Sequence, residues 1–212
     1  MPDLIPELSF SFWIELGVAL SLIVSAFIAG RWKELIKKKK KANIDWSVHT
    51  QIHEFLTELR VITHAARAQL IQFHNGEYFL DGVSMQKLSM THESLSNGVS
   101  SEIHNKTNVL LSLYSTLMDK LDLNDVVHYK TQNEKEGYFK NILDLGNVHS
   151  YSVLPVFIAG TKCGFLMVEW CSDHRMDYAE KNFSKLRTEI FYARNVIQTK
   201  LAQQLKQTNA IK

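Results

Sequence analysis

Residues 150–171, SYSVLPVFIAGTKCGFLMVEWC, give the strongest indication of the fold of this chain. Two largely apolar runs, 150–158 and 163–171, lie on either side of the short segment 159–162, which contains a glycine. Runs of this length around a four-residue turn predict two antiparallel strands. Because both runs are apolar almost throughout, they are typical of strands buried on both faces. We therefore expect this hairpin at the centre of a sheet.

Two long amphipathic helices are predicted outside the strands, one from residue 45 to about residue 68 and one from residue 178 to about residue 205. Apolar residues recur every three or four positions in both, which places them on one face of each helix. In the first helix these residues are Val48, Ile52, Phe55, Leu59, Ile62 and Ala66. In the second they are Phe183, Leu186, Ile190, Ala193, Ile197 and Leu201.

The region between the first helix and the hairpin predicts a mixture of strands and short helices. Asn75-Gly76 and Asn97-Gly98 are strong turn signals. Gly146 is a helix-stop signal. The predicted elements are strands at 69–73, 84–92 and 124–129 and helices at 108–121 and 134–145.

The hairpin also contains the pattern S-x-x-P-x-x-x-x-G-x-x-x-G-x-x-x-x-E, formed by Ser152, Pro155, Gly160, Gly164 and Glu169. With the order of elements around it, this pattern resembles a GAF domain, a sensory fold related to PAS domains, over residues 45–206. The resemblance implies an α+β fold with a central antiparallel sheet. It also implies two long helices on one face, often forming a dimer bundle, and a small-molecule pocket on the other.

The ligand is not specified by this resemblance. Residues 73–94, FHNGEYFLDGVSMQKLSMTHES, do not match the cyclic-nucleotide-binding pattern of GAF domains, and the cysteine context that attaches bilins is missing. We expect neither a metal nor a covalently attached chromophore, and the cofactor is unknown. Polar and aromatic residues near predicted strand ends are the candidate ligand-binding residues. They are His74, Tyr78, Thr91, His92 and Glu93, which could equally be loop residues that satisfy backbone groups.

A hydrophobic segment at residues 8–30, LSFSFWIELGVALSLIVSAFIAG, is long enough to cross a bilayer. A short acidic tail, 1–7, precedes it, and a basic linker, 31–44, follows. Positive charge on the C-terminal side predicts a single-pass anchor in the inner (cytoplasmic) membrane, with the N-terminus outside and the domain in the cytoplasm. The linker also supplies the expected contacts with anionic head groups. Its basic residues are Arg31, Lys33, Lys37, Lys38, Lys39, Lys40 and Lys41.

Small residues recur every fourth position within the hydrophobic segment, which predicts a stripe where two helices approach closely. They are Gly17, Ser21, Ser25 and Ala29. Small residues are also common in membrane helices that do not associate. Together with Ile52 and Leu59 on the first long helix, the stripe predicts a homodimer.

Composition excludes some functions. Residues 42–212 carry 17 basic and 18 acidic side chains, and this near-neutral balance argues against nucleic acid as a partner. Cys163 and Cys171 are the only cysteines. If both lie in one strand they are separated by about 26 Å, too far for a disulfide.

No sequence motif of a known catalytic site is present, so we expect no enzymatic activity. The favoured hypothesis is a membrane-tethered sensory or regulatory module that binds a small ligand or an unidentified protein partner and acts as a dimer. The alternative is a ligand-free structural platform at the membrane. The weakest alternative is methionine sulfoxide reduction, because GAF-fold reductases use several cysteines. A polar tail, 207–212, ends the chain.

Overall fold

The computed structural model describes residue 14 and residues 17–28, 46–78 and 84–210. The chain divides into two compact units, Met1–Ile44 and Asp45–Lys212. In the first unit residues 17–28 are helical, and the hydroxyls of Ser21 and Ser25 donate to the carbonyls of Val18 and Ser21 at 2.8 and 2.5 Å.

No helix among these described residues is both long and apolar enough to cross a bilayer. Both ends of the predicted span, including Ala29, and the whole basic linker 31–44 lie outside the described residues. The anchor therefore stays a prediction.

A six-stranded antiparallel sheet forms the centre of the second unit, in the order β3-β2-β1-β6-β5-β4. The strands are β1 (Arg67–Tyr78), β2 (Ser84–Leu95), β3 (Val109–Leu110), β4 (Val127–Lys130), β5 (Ser150–Ile158) and β6 (Thr161–Trp170). The predicted hairpin is confirmed as β5 and β6. Its turn is tighter than expected, because Ala159 and Gly160 at φ 50° and 80° make a two-residue connection.

Within residues 46–78 and 84–210, four α-helices accompany the sheet: α1 (Trp46–Ile62), α2 (Ser115–Leu121), α3 (Tyr138–Leu145) and α4 (Asp173–Ala210). Two short 3-10 helices, Leu111–Tyr114 and Thr131–Asn133, precede α2 and follow β4. The two predicted long helices are confirmed as α1 and α4. The first ends earlier than expected, because His64 turns the chain with a φ of 54° before β1 begins.

The two faces of the sheet have different covers. We call the face covered by α1 and α4 the helix face, and the one covered by α2, α3 and adjacent loops the loop face. Residues alternate between them along β6, so that Leu166 and Val168 belong to the helix-face core and Phe165 and Met167 to the loop-face core.

Two local predictions are wrong. Asn75-Gly76 does not form a turn, because β1 continues to Tyr78 and Asn75 pairs with Gln86 of β2. The helix predicted from residue 108 begins only at Ser115, because Asn108 has a φ of 59° and the next two residues form β3.

Gly164 is required where β6 meets β1. A Cβ at this position would collide with the carbonyl oxygen of Ile71 and the Cα of Gln72, both of which are backbone atoms. The glycine of the sequence pattern therefore allows the two central strands to approach.

Ile52 and Leu59 are buried within the chain, which corrects their assignment to a dimer surface. Ile52 is 0% exposed and Leu59 3%, and both pack in the helix-face core. The spacing of apolar residues on α1 is satisfied by the sheet and α4, so these two side chains are not available to a second copy.

Candidate ligand site on the loop face

The middle of the loop face is filled by aromatic side chains from three elements. Tyr114 lies 5.5 Å from Phe139, and Phe139 lies 5.5 Å from Tyr151, measured between ring centroids. All three are at most 2% exposed. The chain therefore occupies this part of the face with its own side chains.

Glu169 lies at one end of the loop face and is fully buried. Its carboxylate accepts hydrogen bonds from Arg67 at 3.0 Å, Lys106 at 2.5 Å and Gln69 at 3.4 Å. Lys106 also donates to the side-chain oxygen of Gln69 at 2.9 Å. These four residues, which we call the ion cluster, come from β1, β6 and the loop before β3, so that long-range contacts build it.

Arg67 connects the ion cluster to the loops around it. Its guanidinium donates to the carbonyls of Gly146 and Ser100, each at 3.0 Å, and lies 3.7 Å from Glu102. Burial alone would lower the pKa of Arg67, but Glu169 and other nearby groups outweigh burial and raise it. Arg67 and Lys106 thus face two buried carboxylates, Glu169 within the ion cluster and Glu102 beside it.

Cys171 borders the ion cluster, and Arg67 donates to its sulfur at 3.2 Å. Burial raises the pKa of Cys171 to about 11, and burial also raises that of Cys163. Neither thiol is in a disulfide. Both are therefore held in the protonated, weakly nucleophilic form at neutral pH.

A second polar group lies at β4 and β5 on the loop face, where Tyr151 is the cross-strand partner of Glu169. Tyr151 donates to Glu134 at 2.6 Å, and Lys120 contacts Glu134 and donates to the Tyr151 hydroxyl at 2.7 Å. Burial raises the pKa of Tyr151. The ammonium of Lys120 also lies 4.2 Å from the ring centre of Tyr129, so this group fixes α2 against β4 and β5.

An open groove of about 540 Å³ lies at the β2–β3 edge of the loop face. Leu111 and Met118, which form part of its wall, also pack against the loop-face core. The full lining is Met85, Gln86, Leu110, Leu111, Ser112, Ser115, Met118 and Asp119. We call this space the edge groove.

The predicted ligand residues with described side chains do not converge on one cavity. His74 is exposed and bonds the hydroxyl of Ser89 at 2.9 Å. Thr91 is exposed beside an irregularity in the β1–β2 pairing, and its hydroxyl donates to the carbonyl of Leu70. Tyr78 pairs with Ser84 at the end of β1, and its side chain lies outside the described part of the chain.

His92 is buried on the helix face, not on the loop face. Its Nε2 lies 3.0 Å from Nδ1 of His49 on α1, and Nε2 of His49 accepts from Gln204 of α4 at 3.1 Å. Burial, followed by the nearby His49 and His53, lowers the pKa of His92 to about 4. This histidine therefore joins the sheet to both long helices.

Among the predicted ligand residues whose side chains the structure describes, Glu93 is the one that reaches the ion cluster. Its carboxylate accepts from Gln69 at 3.0 Å, from the Ser101 hydroxyl at 2.5 Å and from the backbone N–H of Glu102 at 3.1 Å. Sequence reasoning missed Gln69 and Lys106. The available signal was Glu169 itself, because a carboxylate within an apolar strand requires buried partners.

The sheet order and the placement of the helices can be compared with solved structures. A red/green cyanobacteriochrome in its red light-absorbing state matches with a TM-score of 0.50 at 14% identity, over 72% of this chain and 94% of that chain. This chain has the fold of a GAF domain.

Two further solved structures resemble the chain at lower TM-scores. The blue-light absorbing form of the PixJ GAF domain of Thermosynechococcus elongatus gives 0.47 at 12% identity, over 79% of this chain and 95% of that one. The GAF domain of a two-component sensor histidine kinase from Bacillus halodurans gives 0.42 at 15% identity, over 74% and 99%. No protein-family model and no curated protein matches the chain.

Proposed function

We propose that this chain is a membrane-tethered regulatory module without catalytic activity, whose GAF-fold domain holds a small molecule in the edge groove and passes its state to a protein partner. The edge groove carries this proposal. It lies on the loop face, which is the face where a GAF domain is expected to hold its ligand. Its volume of about 540 Å³ falls within the range of about 300–1,000 Å³ that small-molecule sites occupy.

The lining of the edge groove indicates the kind of ligand. Met85, Leu110, Leu111 and Met118 offer apolar surface, and Asp119 offers a carboxylate. We infer a mainly apolar molecule with one hydrogen-bond donor or positive charge. Neither cysteine belongs to this lining, which supports a ligand held without a covalent bond.

The ligand hypothesis is tested by native mass spectrometry of the full chain and of Ser115→Trp, in which the indole would occupy the edge groove. We expect a small molecule to co-purify with the wild-type chain and to be lost from Ser115→Trp. Ser184→Trp is the matched control, because Ser184 is exposed on α4, and it should retain the molecule. Equal loss from both variants would remove the edge groove as the site.

A ligand-free interaction platform is the second candidate. It is favoured by the loop-face core, which is filled by Tyr114, Phe139 and Tyr151 and closed by the ion cluster. A wild-type chain that carries no small molecule, yet still assembles with itself or a partner, would support the platform over the sensor.

Membrane attachment and dimerisation complete the proposal. The hydrophobic segment 8–30 and the basic residues after it support a single-pass anchor with a cytoplasmic domain. A reporter active only in the periplasm, fused after Lys212, should remain silent, and a strong signal would reverse the topology.

The stripe of small residues supports a dimer. Phe55 and Tyr192, which line a shallow groove between α1 and α4, replace Ile52 and Leu59 as its candidate contacts.

Methionine sulfoxide reductase activity should be absent. Burial raises the pKa of both thiols, and they lie in β6 and directly after it. Reduction of free methionine sulfoxide by the wild-type chain, lost in Cys163→Ser or Cys171→Ser, would restore the enzyme hypothesis.

A further inference from the structure

A second groove, of about 430 Å³, lies where α1 ends and α4 begins. Four basic side chains line it, together with one tyrosine and two apolar residues, and its lining contains no carboxylate. The basic and aromatic residues are Arg60, His64, His174, Arg175 and Tyr178. We call this space the basic groove. It shares no lining residue with the edge groove.

Neutral groups hold the two arginines of the basic groove. One terminal nitrogen of Arg175 donates to the carbonyl of Ala65 at 3.0 Å and to the hydroxyl of Ser96 at 2.9 Å. Nε of Arg60 donates to the hydroxyl of Ser94 at 3.1 Å. A guanidinium has five N–H donors, so these bonds orient both groups without using all their donors or neutralising their charge.

Two aromatic rings lie beside these charged groups. The ring of His64 packs on that of Tyr178 with 4.2 Å between centroids. His64 reaches this position because its positive φ turns the chain sharply after α1. The basic groove therefore combines fixed positive charge with two adjacent aromatic rings.

The basic groove differs from the ion cluster in its charge balance. Arg67 and Lys106 are paired with Glu169, whereas no ion pair within the described part of the chain involves Arg60 or Arg175. Asp173, adjacent along α4, is bonded to His149, and Asp177 does not line the groove. Positive charges that converge on a cavity without a carboxylate attract an anion.

We propose that the basic groove binds the phosphate group of a small soluble molecule that also carries a planar ring. Guanidinium groups recognise phosphate through charge-assisted, often bidentate hydrogen bonds, and they also stack on aromatic rings. The groove volume suits a small organic phosphate. A lipid head group offers the same phosphate chemistry. The groove, however, is separated from residue 46 by the full length of α1, about 25 Å at 1.5 Å per residue.

The test measures binding of inorganic phosphate and of phenyl phosphate to the full chain in a non-ionic detergent, by titration calorimetry at constant ionic strength. We expect saturable binding of both probes, with phenyl phosphate at least threefold tighter. His174→Glu should weaken both by tenfold or more, because it places a carboxylate in the groove. It should also preserve the fold, since the side chain is exposed near a helix N-terminus.

His104→Glu is the matched control, because it makes the same change on an exposed loop residue, and it should alter binding less than twofold. Tyr178→Ala should remove the preference for phenyl phosphate while inorganic phosphate still binds. The proposal is overturned if neither probe binds saturably, or if the control weakens binding as much as His174→Glu. Binding to vesicles that contain phosphatidic acid, without binding to phenyl phosphate, would also overturn it.

Discussion

The two faces of the sheet are built in different ways. On the helix face, apolar side chains of two long helices meet apolar side chains of the strands, with Ile52, Leu186 and Ile190 almost fully buried. On the loop face, aromatic side chains from short helices share the space with the ion cluster around Glu169. The core of the first face is therefore apolar, whereas the core of the second includes paired charges.

The largest expected effect is a charge inserted into the helix face. Ile52→Glu places an unpaired carboxylate at a position that is 0% exposed, which should lower the free energy of unfolding by about 5 kcal/mol and unfold most of the domain. Urea unfolding followed by circular dichroism measures this. Thr50→Glu, exposed on the same helix, should change stability by less than about 0.5 kcal/mol. A folded but monomeric Ile52→Glu would show that Ile52 faces a partner after all.

Removing a charge from the loop face should have the next largest effect. Glu169→Gln leaves Arg67 and Lys106 without their shared carboxylate, and breaking a buried pair in this way costs about 3–5 kcal/mol. The same urea measurement applies.

The double variant Glu169→Gln with Lys106→Met should regain part of this loss, because it also removes the cation whose ion pair is lost, whereas Arg67 keeps Glu102 nearby. If Glu169→Gln costs less than 1 kcal/mol, the ion cluster does not determine the stability of the loop face.

Acidification should weaken the helix face through His92. Its pKa is about 4 in the folded chain against an ordinary value of 6.5, so the folded state binds this proton less readily than the unfolded chain. The stabilisation is complete above pH 6.5 and is lost as the pH falls toward 4, by an amount on the order of 3 kcal/mol. In the folded chain, Nε2 of His92 accepts a hydrogen bond from the N–H of His49. A proton added to Nε2 would therefore point at that N–H.

Urea midpoints between pH 7.5 and pH 4.5 test this loss. His92→Gln should flatten the dependence, since its side chain can still bond His49 and Thr91 but does not titrate. His104→Gln, which changes an exposed histidine, should leave it unaltered. An unchanged slope in His92→Gln would assign the effect to other groups.

The smallest effect should come from the thiols, one of which lies on each face. Cys163 packs against the helix-face core and Cys171 against the loop-face core, both half-buried. Cys163→Ser combined with Cys171→Ser should cost about 1–2 kcal/mol and preserve the fold. Thermal unfolding of the double variant measures this, and a loss of the native circular dichroism spectrum at 25 °C would contradict it.

The helix face was more predictable from the sequence than the loop face. The periodicity of α1 and α4 and the apolar runs of β5 and β6 are local signals, and they placed four elements correctly. The same periodicity could not show whether Ile52 faces the sheet or a second helix, since both surfaces require the same spacing.

The loop face depends on contacts that are distant in sequence. Glu169 meets Arg67 and Lys106 across 102 and 63 residues, and no local pattern connects them. Asn75-Gly76 failed as a turn signal for a related reason, because pairing between β1 and β2 outweighs the local preference of the dipeptide. The candidate ligand residues are polar or aromatic and lie near predicted strand ends, and neither property assigns a residue to a face.

The antiparallel arrangement of α1 and α4 has a mechanical consequence. His49 meets Gln204 at one end of the pair and His64 meets Tyr178 at the other, so residues 46 and 205 leave the domain at the same end. A force that separates these two residues therefore pulls the helices apart one turn after another, beginning at the histidine contact, and does not shear them along their length. With handles attached at residues 46 and 205, optical tweezers should record a gradual opening at low force before the sheet ruptures.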